Sequence, residues 1–228
     1  MPDCIHCPVR ESAACAVLEE DEREALARSG RNLTAQRGET VFAAGDENTA
    51  CATLVSGALK VRSVDPEGRE RILALIHPAG FVGEMFAPFA SHDIVALTES
   101  RLCVFGRGAM ERAIEDHPAL ARALLRRSQA ALHESRSLLE MTAQGRAEAR
   151  LAALLLDFAA AASHSPCHGT ERFDLPLSRG DIANLLGLTI ETVSRKIGAF
   201  ESEGSIRREG RRGIELLDPA QLAEIAGR

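Results

Sequence analysis

The stretch from Ser178 to Phe200 most constrains what this chain can fold into, because it predicts two short helices joined at a glycine. Ser178 can cap the first helix, with Asp181 three residues later as a short version of the acid in a capping box. Thr189 can cap the second helix. Gly187 supplies the positive φ that ends the first. This order of caps and breaks predicts a helix-turn-helix.

The second helix of this stretch has two distinct faces. The face expected to be buried has residues at i, i+4 and i+7, namely Val193, Ile197 and Phe200. Glu191, Ser194 and Arg195 share a different face, which a helix-turn-helix places in the DNA major groove. There an arginine can bond O6 and N7 of guanine, a carboxylate can accept from N4 of cytosine, and a serine hydroxyl suits either sort of edge.

A simpler interpretation of this polar face is an exposed salt bridge between Glu191 and Arg195, worth only roughly a few tenths of a kcal/mol. We favour DNA reading, because the caps, the glycine and the polar face all point to the same structure.

The run from Arg179 to Arg195 closely resembles the recognition motif of CRP/FNR-type bacterial transcription regulators, and Glu191, Ser194 and Arg195 are similar to the triplet of the FNR and FixK branch. The resemblance implies that the glutamate and arginine read the G·C pair of a TTGAT half-site, while the serine contacts a neighbouring A·T pair. It implies an operator close to the palindrome TTGAT-N4-ATCAA. Double-stranded DNA and RNA polymerase are the partners that follow from it.

A second basic segment lies beyond the recognition motif. Residues 204 to 217 predict a β-hairpin wing with four arginines that would meet DNA phosphates, namely Arg207, Arg208, Arg211 and Arg212. The remaining candidate DNA contacts flank the reading triplet and are Arg179, Thr189, Thr192 and Lys196.

Composition excludes several other classes of protein. The chain has 228 residues, of which 45% are hydrophobic and 26% charged, an ordinary globular balance with room for two modest domains. Its net charge is −6, yet basic residues outnumber acidic ones between positions 176 and 213, which fits a sequence-specific DNA reader. No constellation of catalytic residues stands out, so an enzyme is not expected. Without a signal segment or an apolar run near the roughly 20 residues that span a bilayer, we expect a cytoplasmic protein with no membrane partner.

Three of the six cysteines are close together at the start of the chain. Cys4, Cys7 and Cys15 form a C-x2-C-x7-C pattern. In a reducing compartment such closely spaced thiols hold a metal or a cluster rather than disulfides. A four-thiolate site needs one further ligand, and the candidates are Cys51, Cys103 and Cys167. Spacing alone does not separate zinc from an iron–sulfur cluster.

The family resemblance narrows these alternatives. The FNR family places its fourth ligand late in the sensor domain in a short apolar strand, and the context of Cys103 matches that description, so the implied metal ligands are Cys4, Cys7, Cys15 and Cys103. The x7 spacing departs from the best-known members and resembles an FnrN-like subgroup. The resemblance favours an oxygen-sensing [4Fe-4S] cluster. The alternatives are a cluster-free regulator that responds to thiol oxidation or another ligand, a zinc-containing regulator, and a zinc-binding structural protein. Cys51 is then expected in the core and Cys167 in a loop.

Between about Thr34 and Phe105 the sequence changes to short alternating runs separated by glycine-containing turns at intervals of roughly 8 to 12 residues, which predicts a barrel or jelly roll. The β-roll of the family fits this pattern. Residues 16 to 30 predict a short amphipathic helix before it. A cyclic-nucleotide pocket in this family needs a Gly-Glu pair followed by Arg-Ser or Arg-Thr. Gly83 and Glu84 are present but the arginine is not, so cyclic-nucleotide binding is not expected.

From Pro118 to about Thr142 the pattern is helical with a heptad repeat. The repeating rows predict a dimerisation surface, as in a two-stranded coiled coil, and consist of Ala121, Leu124, Leu125, Ser128, Ala131, Leu132, Ser135, Leu138, Leu139 and Thr142. The alternative is one long core helix of a monomer. We favour the homodimer, because a palindromic operator requires two-fold symmetry.

These features together predict an α+β protein with an N-terminal β-roll of jelly-roll or cupin-like type, a long dimerisation helix and a C-terminal winged helix-turn-helix. The predicted boundaries are 1–17 for the cysteine-rich segment, 18–115 for the sensor domain, 116–143 for the dimerisation helix and 144–228 for the DNA-binding domain.

Overall fold

A computed structural model describes residues 3–143, 145–162, 172–210 and 212–228. The chain divides into two compact units, residues 1–135 and 136–228. The predicted fold class is confirmed, with a β-rich first unit, a long helix and a helix-turn-helix in the second. Within the described ranges, no helix has both the length and the apolar character needed to cross a membrane.

The described residues of the first unit form eight strands in two antiparallel sheets. The strands are β1 (Gly30–Ala35), β2 (Thr40–Phe42), β3 (Ala50–Ser56), β4 (Leu59–Val64), β5 (Glu70–Ile76), β6 (Phe81–Val82), β7 (Asp93–Ala96) and β8 (Ser100–Gly106). One sheet has the order β1-β8-β3-β6 and the other β2-β7-β4-β5. Leu54 and Leu102 from the first sheet pack with Leu59 and Ile94 from the second. The expected jelly-roll architecture is therefore present.

Helical segments cover the outside of the first sheet. A short 3₁₀ helix (Ala14–Val17) precedes α1 (Glu20–Arg28), and α2 (Arg107–Asp116) follows the last strand. The single helix predicted over 16–30 is thus shorter and begins at Glu20, because Glu19 and Glu22 form a capping box at that point. These segments share the amino-terminal apolar cluster, which consists of the buried residues Ala14, Leu18, Leu26, Cys51, Met85, Phe105, Met110 and Leu120.

The long helix α3 (Pro118–Ala143) matches the range predicted from the heptad pattern. Three leucines spaced seven residues apart are exposed on it: Leu125 by 61%, Leu132 by 50% and Leu139 by 68%. Leu124, predicted at the same surface, is half-buried and packs against the amino-terminal apolar cluster instead. Leu124 therefore packs within its own chain, while the row formed by Leu125, Leu132 and Leu139 is left uncovered.

The second unit contains α4 (Ala147–Ala162), β9 (Arg172–Asp174), α5 (Arg179–Leu186), α6 (Ile190–Ser202), β10 (Ile206–Glu209), β11 (Gly213–Leu216) and α7 (Pro219–Ala226). The predicted wing hairpin is confirmed as β10 and β11. It gains a third strand, β9, which pairs with β11 and buries Phe173. The sequence did not predict β9, because a run of three residues is too short to distinguish a strand from a loop. Cys167 lies outside the described residues.

Candidate nucleic-acid interface and thiol cavity

The helix-turn-helix is fixed by the local bonds that its sequence predicts. The Asp181 amide donates to Ser178 Oγ at 3.1 Å, and the Ser178 amide donates to Asp181 Oδ2 at 2.9 Å, which completes a capping box at α5. Gly187 ends α5 in the left-handed region at φ 63°. The Thr192 amide then donates to Thr189 Oγ1 at 3.3 Å, so Thr189 caps α6. The turn geometry is therefore encoded within the fifteen residues from Ser178 to Thr192.

The recognition helix α6 buries Val193, Ile197 and Phe200, as predicted. Glu191 and Arg195 are exposed on the opposite side, and Ser194 is half-buried beside them. Hydrogen bonds from its own backbone amide and from the Thr189 hydroxyl hold the pKa of Glu191 below its usual value, so the carboxylate is charged. In the described part of the chain, no ion pair joins Glu191 to Arg195. Both side chains therefore remain available for base edges.

The flanking candidates have different surroundings. One terminal nitrogen of the Arg179 guanidinium is buried and has no hydrogen-bond partner within the described residues. The Thr189 and Thr192 hydroxyl oxygens lie 3.1 Å apart, within hydrogen-bond distance. Lys196 forms an ion pair with Glu148 on α4. Arg179 therefore has unused donor capacity beside the reading helix, whereas Lys196 already has a carboxylate partner.

The wing arginines are also paired with carboxylates. Arg207 donates to Glu215 at 2.7 Å, and Arg172 donates to the same carboxyl group at 2.8 Å, which lowers the pKa of Glu215. Arg208 donates to Glu201 of the recognition helix at 2.8 Å. Phosphates that bind Arg207 or Arg208 must therefore share them with these acids.

Of the other two arginines predicted in the wing, the structure describes Arg212 but not Arg211. Arg212 is exposed, and its carbonyl accepts from the Leu175 amide at 2.9 Å. Arg211, also predicted to meet phosphates, lies outside the described residues.

A cavity of about 350 Å³ in the first unit brings together the four proposed ligand cysteines. Cys4, Cys7 and Cys15 line it from the chain start, and Cys103 lines it from β8. Cys51 lies instead in the amino-terminal apolar cluster with no exposed surface, as predicted for a core residue. The cavity thus joins thiols from two distant parts of the sequence.

The cysteines around the cavity form no disulfide among the described residues. Burial raises the pKa of Cys4, Cys15 and Cys103, the last to about 12, and the neighbouring thiols raise it further. Among the described residues, no three His, Cys, Asp or Glu side chains form a group close enough to hold a metal ion. The four sulfurs therefore surround a space rather than meet at one point.

Arg23 is a residue of this site that the sequence analysis did not identify. Its guanidinium lines the cavity and donates to the carbonyls of Cys15 at 3.2 Å, Ala16 at 3.4 Å and Leu18 at 2.7 Å. It therefore holds the 3₁₀ turn that carries Cys15. The sequence does distinguish this residue, since Arg23 is the one basic residue among the acidic residues of positions 19 to 24.

Gly83 and Glu84, the Gly-Glu pair of the sensor domain, make contacts that stabilise the local backbone. Glu84 accepts from the Ser91 hydroxyl at 2.6 Å and from the Ser91 amide at 3.3 Å. Gly83 has φ 113°, and a Cβ there would lie 3.2 Å from Cys51 Cα. The glutamate is therefore engaged within residues 84–91 and the glycine is needed for close backbone packing.

Comparison with known proteins identifies relatives of both units. The Crp-like helix-turn-helix domain family matches residues 149–225, and the Cyclic nucleotide-binding domain family matches residues 33–117. The chain is 32% identical over 227 residues to "Transcriptional activator protein FnrL" of Cereibacter sphaeroides, covering 98% of this chain and 92% of that protein. It is 31% identical over 224 residues to "Nitrogen fixation regulation protein FixK" of Bradyrhizobium diazoefficiens, covering 98% and 93%. Among solved structures, FixK2 from Bradyrhizobium japonicum shares the fold, with a TM-score of 0.78 at 23% identity over 86% of this chain and 96% of that one.

Proposed function

Because the chain belongs to the CRP/FNR family and is a DNA-binding transcription regulator of the FNR/FixK type, we propose that it senses oxygen and binds palindromes close to TTGAT-N4-ATCAA as a homodimer. In this proposal Cys4, Cys7, Cys15 and Cys103 hold a [4Fe-4S] cluster.

The observation that carries the sensing part of the proposal is the shared cavity. Four cysteines from two separate segments line one space of about 350 Å³, while Cys51 is buried elsewhere in the core. Four thiolates are the usual ligand set of a [4Fe-4S] cluster. The donor chemistry of the cavity therefore fits such a cluster.

The size of the cavity favours a cluster over zinc. A tetrahedral zinc ion with Zn–S bonds of about 2.3 Å requires its four sulfurs to lie roughly 3.8 Å apart. The described residues include no group of three or more ligands placed to hold a metal ion, and the cavity that the four cysteines line has room for several atoms. When bound, a cluster would supply oxidisable iron and sulfide. The chain supplies the four thiolates and, through Arg23, a positive charge at the cavity wall.

The recognition helix supports the operator part of the proposal. Glu191 and Arg195 are exposed side by side, and they provide the acceptor and the fork donor that suit the two bases of a G·C pair. The exposed leucines of α3 support the dimer, because Leu125, Leu132 and Leu139 form an apolar row that a two-fold partner helix would cover.

The test is to purify the protein without oxygen and to record its visible spectrum and its iron, sulfide and zinc contents. Binding to a duplex with TTGAT-N4-ATCAA and to a shuffled duplex is then measured before and after exposure to air. We expect a brown protein with about four iron and four sulfide per chain, a strong preference for the palindrome, and loss of both colour and binding in air. A colourless protein with one zinc per chain would contradict the cluster, and equal binding to both duplexes would contradict the operator.

A further inference from the structure

Two ion pairs stand on either side of the buried stripe of the recognition helix. Lys196 pairs with Glu148 on α4, and Glu201 pairs with Arg208 on the wing strand β10. At about 100° per residue, Lys196 lies roughly 65° to one side of the centre of the stripe and Glu201 roughly 75° to the other. An ion pair on each side of the stripe therefore opposes rotation of the helix about its own axis.

The position of Lys196 on α6 argues against a contact with DNA. It lies about 150° around the helix from the centre of the face that carries Glu191, Ser194 and Arg195. Its ammonium group is half-buried against Glu148, and this contact lowers the pKa of Glu148. A lysine that reaches DNA phosphates would have to give up this partner and turn towards the opposite side of the helix.

Glu148 lies in the first turn of α4, a few residues beyond the end of α3 at Ala143. The ion pair therefore connects the middle of the recognition helix to the segment that emerges from the long helix. We propose that Lys196 is a positioning residue and not a phosphate contact. Together with Glu148 it sets the rotation of α6 about its own axis, so that Glu191 and Arg195 face the base edges.

Base reading is more sensitive to this rotation than phosphate binding is. A rotation of about 10° moves a side-chain tip roughly 6 Å from the helix axis by about 1 Å. Hydrogen bonds to base edges tolerate only a few tenths of an ångström around their usual length of about 2.9 Å. Attraction to phosphates changes little over the same displacement, because it depends on charge rather than on alignment. Loss of the ion pair between Lys196 and Glu148 should therefore reduce the preference for the operator more than the affinity for random DNA.

The experiment uses full-length, anaerobically purified protein with Lys196→Gln, Glu148→Gln and the double variant. The matched control is Asp157→Asn on the same helix α4, which removes a somewhat more exposed ion pair, with Arg228, that does not include a residue of α6. Each variant is titrated with the palindromic and the shuffled duplex over a series of salt concentrations, and its melting temperature is recorded. This inference rests on the proposed function only for the operator sequence. If wild-type protein does not prefer the palindrome, that proposal fails, and the variants are compared on a duplex selected from a random pool by wild-type protein.

We expect each single variant to lower the ratio of operator affinity to shuffled affinity by about two- to fivefold. The double variant should lower it no further, because both substitutions remove the same pair. The dependence on salt should match that of wild type, and the control should keep the wild-type ratio. Equal losses on both duplexes for Lys196→Gln, with a salt slope reduced by about 0.9, would identify a phosphate contact and overturn the proposal. An unchanged ratio in Glu148→Gln would overturn it as well, whatever the melting temperature.

Discussion

Replacing Leu132 with alanine should weaken the proposed dimer by an amount that follows from its exposure. Full burial of a leucine is worth roughly 1.5–3 kcal/mol, and Leu132 is 50% exposed in the single chain. A two-fold partner would cover the remaining half on both chains, so the substitution removes about 1.5–3 kcal/mol per dimer. This corresponds to a rise of about ten- to a hundredfold in the dimer dissociation constant.

Sedimentation equilibrium over a concentration series measures this change, with Arg126→Ala as the control, about 120° around α3 from Leu132. Arg126 is exposed, so its replacement should leave the dissociation constant unchanged. If Leu132→Ala left the dimer intact but lowered the melting temperature, the exposed row would not be the seam.

The same sedimentation series tests whether the protein remains a dimer after exposure to air. Two of the three hydroxyls at the predicted dimerisation surface already have hydrogen-bond partners, since Ser128 Oγ donates to the Leu124 carbonyl at 3.1 Å and Thr142 Oγ1 to the Leu139 carbonyl at 2.9 Å. Bonded hydroxyls cost little to bury, and the row next to the exposed leucines has no charge to oppose association; it consists of Ala121, Ser128, Ser135 and Thr142. We therefore expect air-exposed wild-type protein to be at least partly dimeric at micromolar concentration. A monomer at every concentration would show that dissociation is the switch.

Three further predictions concern the two sites. Arg195→Ala should cost about 1–3 kcal/mol on the operator and relax discrimination at the guanine, whereas Arg212→Ala should weaken operator and shuffled duplexes alike and flatten the salt slope by about 0.9, as titrations will show. Equal losses on both duplexes for Arg195→Ala would refute its role as a base reader. Cys103→Ser should abolish most bound iron and sulfide, while Cys51→Ala retains both, and a full cluster in Cys103→Ser would mean that another residue is the fourth ligand. The Arg23→Met protein should lose its visible absorption faster in air, and the backbone amides of residues 13–18 should exchange their hydrogens faster. The Arg23→Lys protein should be intermediate in both. Unchanged exchange would show that the three carbonyl bonds of Arg23 do not hold the segment.

Features that depend on neighbours in the sequence could be predicted from it. The caps at Ser178 and Thr189, the left-handed Gly187 and the bounds of α3 all rest on residues only a few positions apart. The jelly roll could be recognised because its turns recur at regular intervals. The assignment of Cys103 came from resemblance, since nothing within one strand indicates which distant thiols it will meet.

Features that depend on distant partners could not be predicted. Strand β9 exists because β11 offers it an edge, and the partners of Lys196 and Arg207 become visible only when the fold brings their carboxylates near. Basic residues near a recognition helix are ordinarily assigned to phosphates. Here several of them neutralise acids of their own chain, so counting charges overestimates the contacts available to DNA.

The amino-terminal apolar cluster has a consequence for how the sensor should be perturbed. Leu120 of α3 is only 1% exposed, because Ala14 and Leu18 from the cysteine segment pack in the same cluster. A truncation through Leu18 would strip this cover and leave the first turns of the long helix resting on an incomplete interior. Such a protein would report the loss of packing beneath α3 rather than the loss of the proposed cluster. Substitution of single cysteines leaves the residues of this cluster that pack against α3 in place. It therefore separates the loss of a proposed ligand from the loss of the fold.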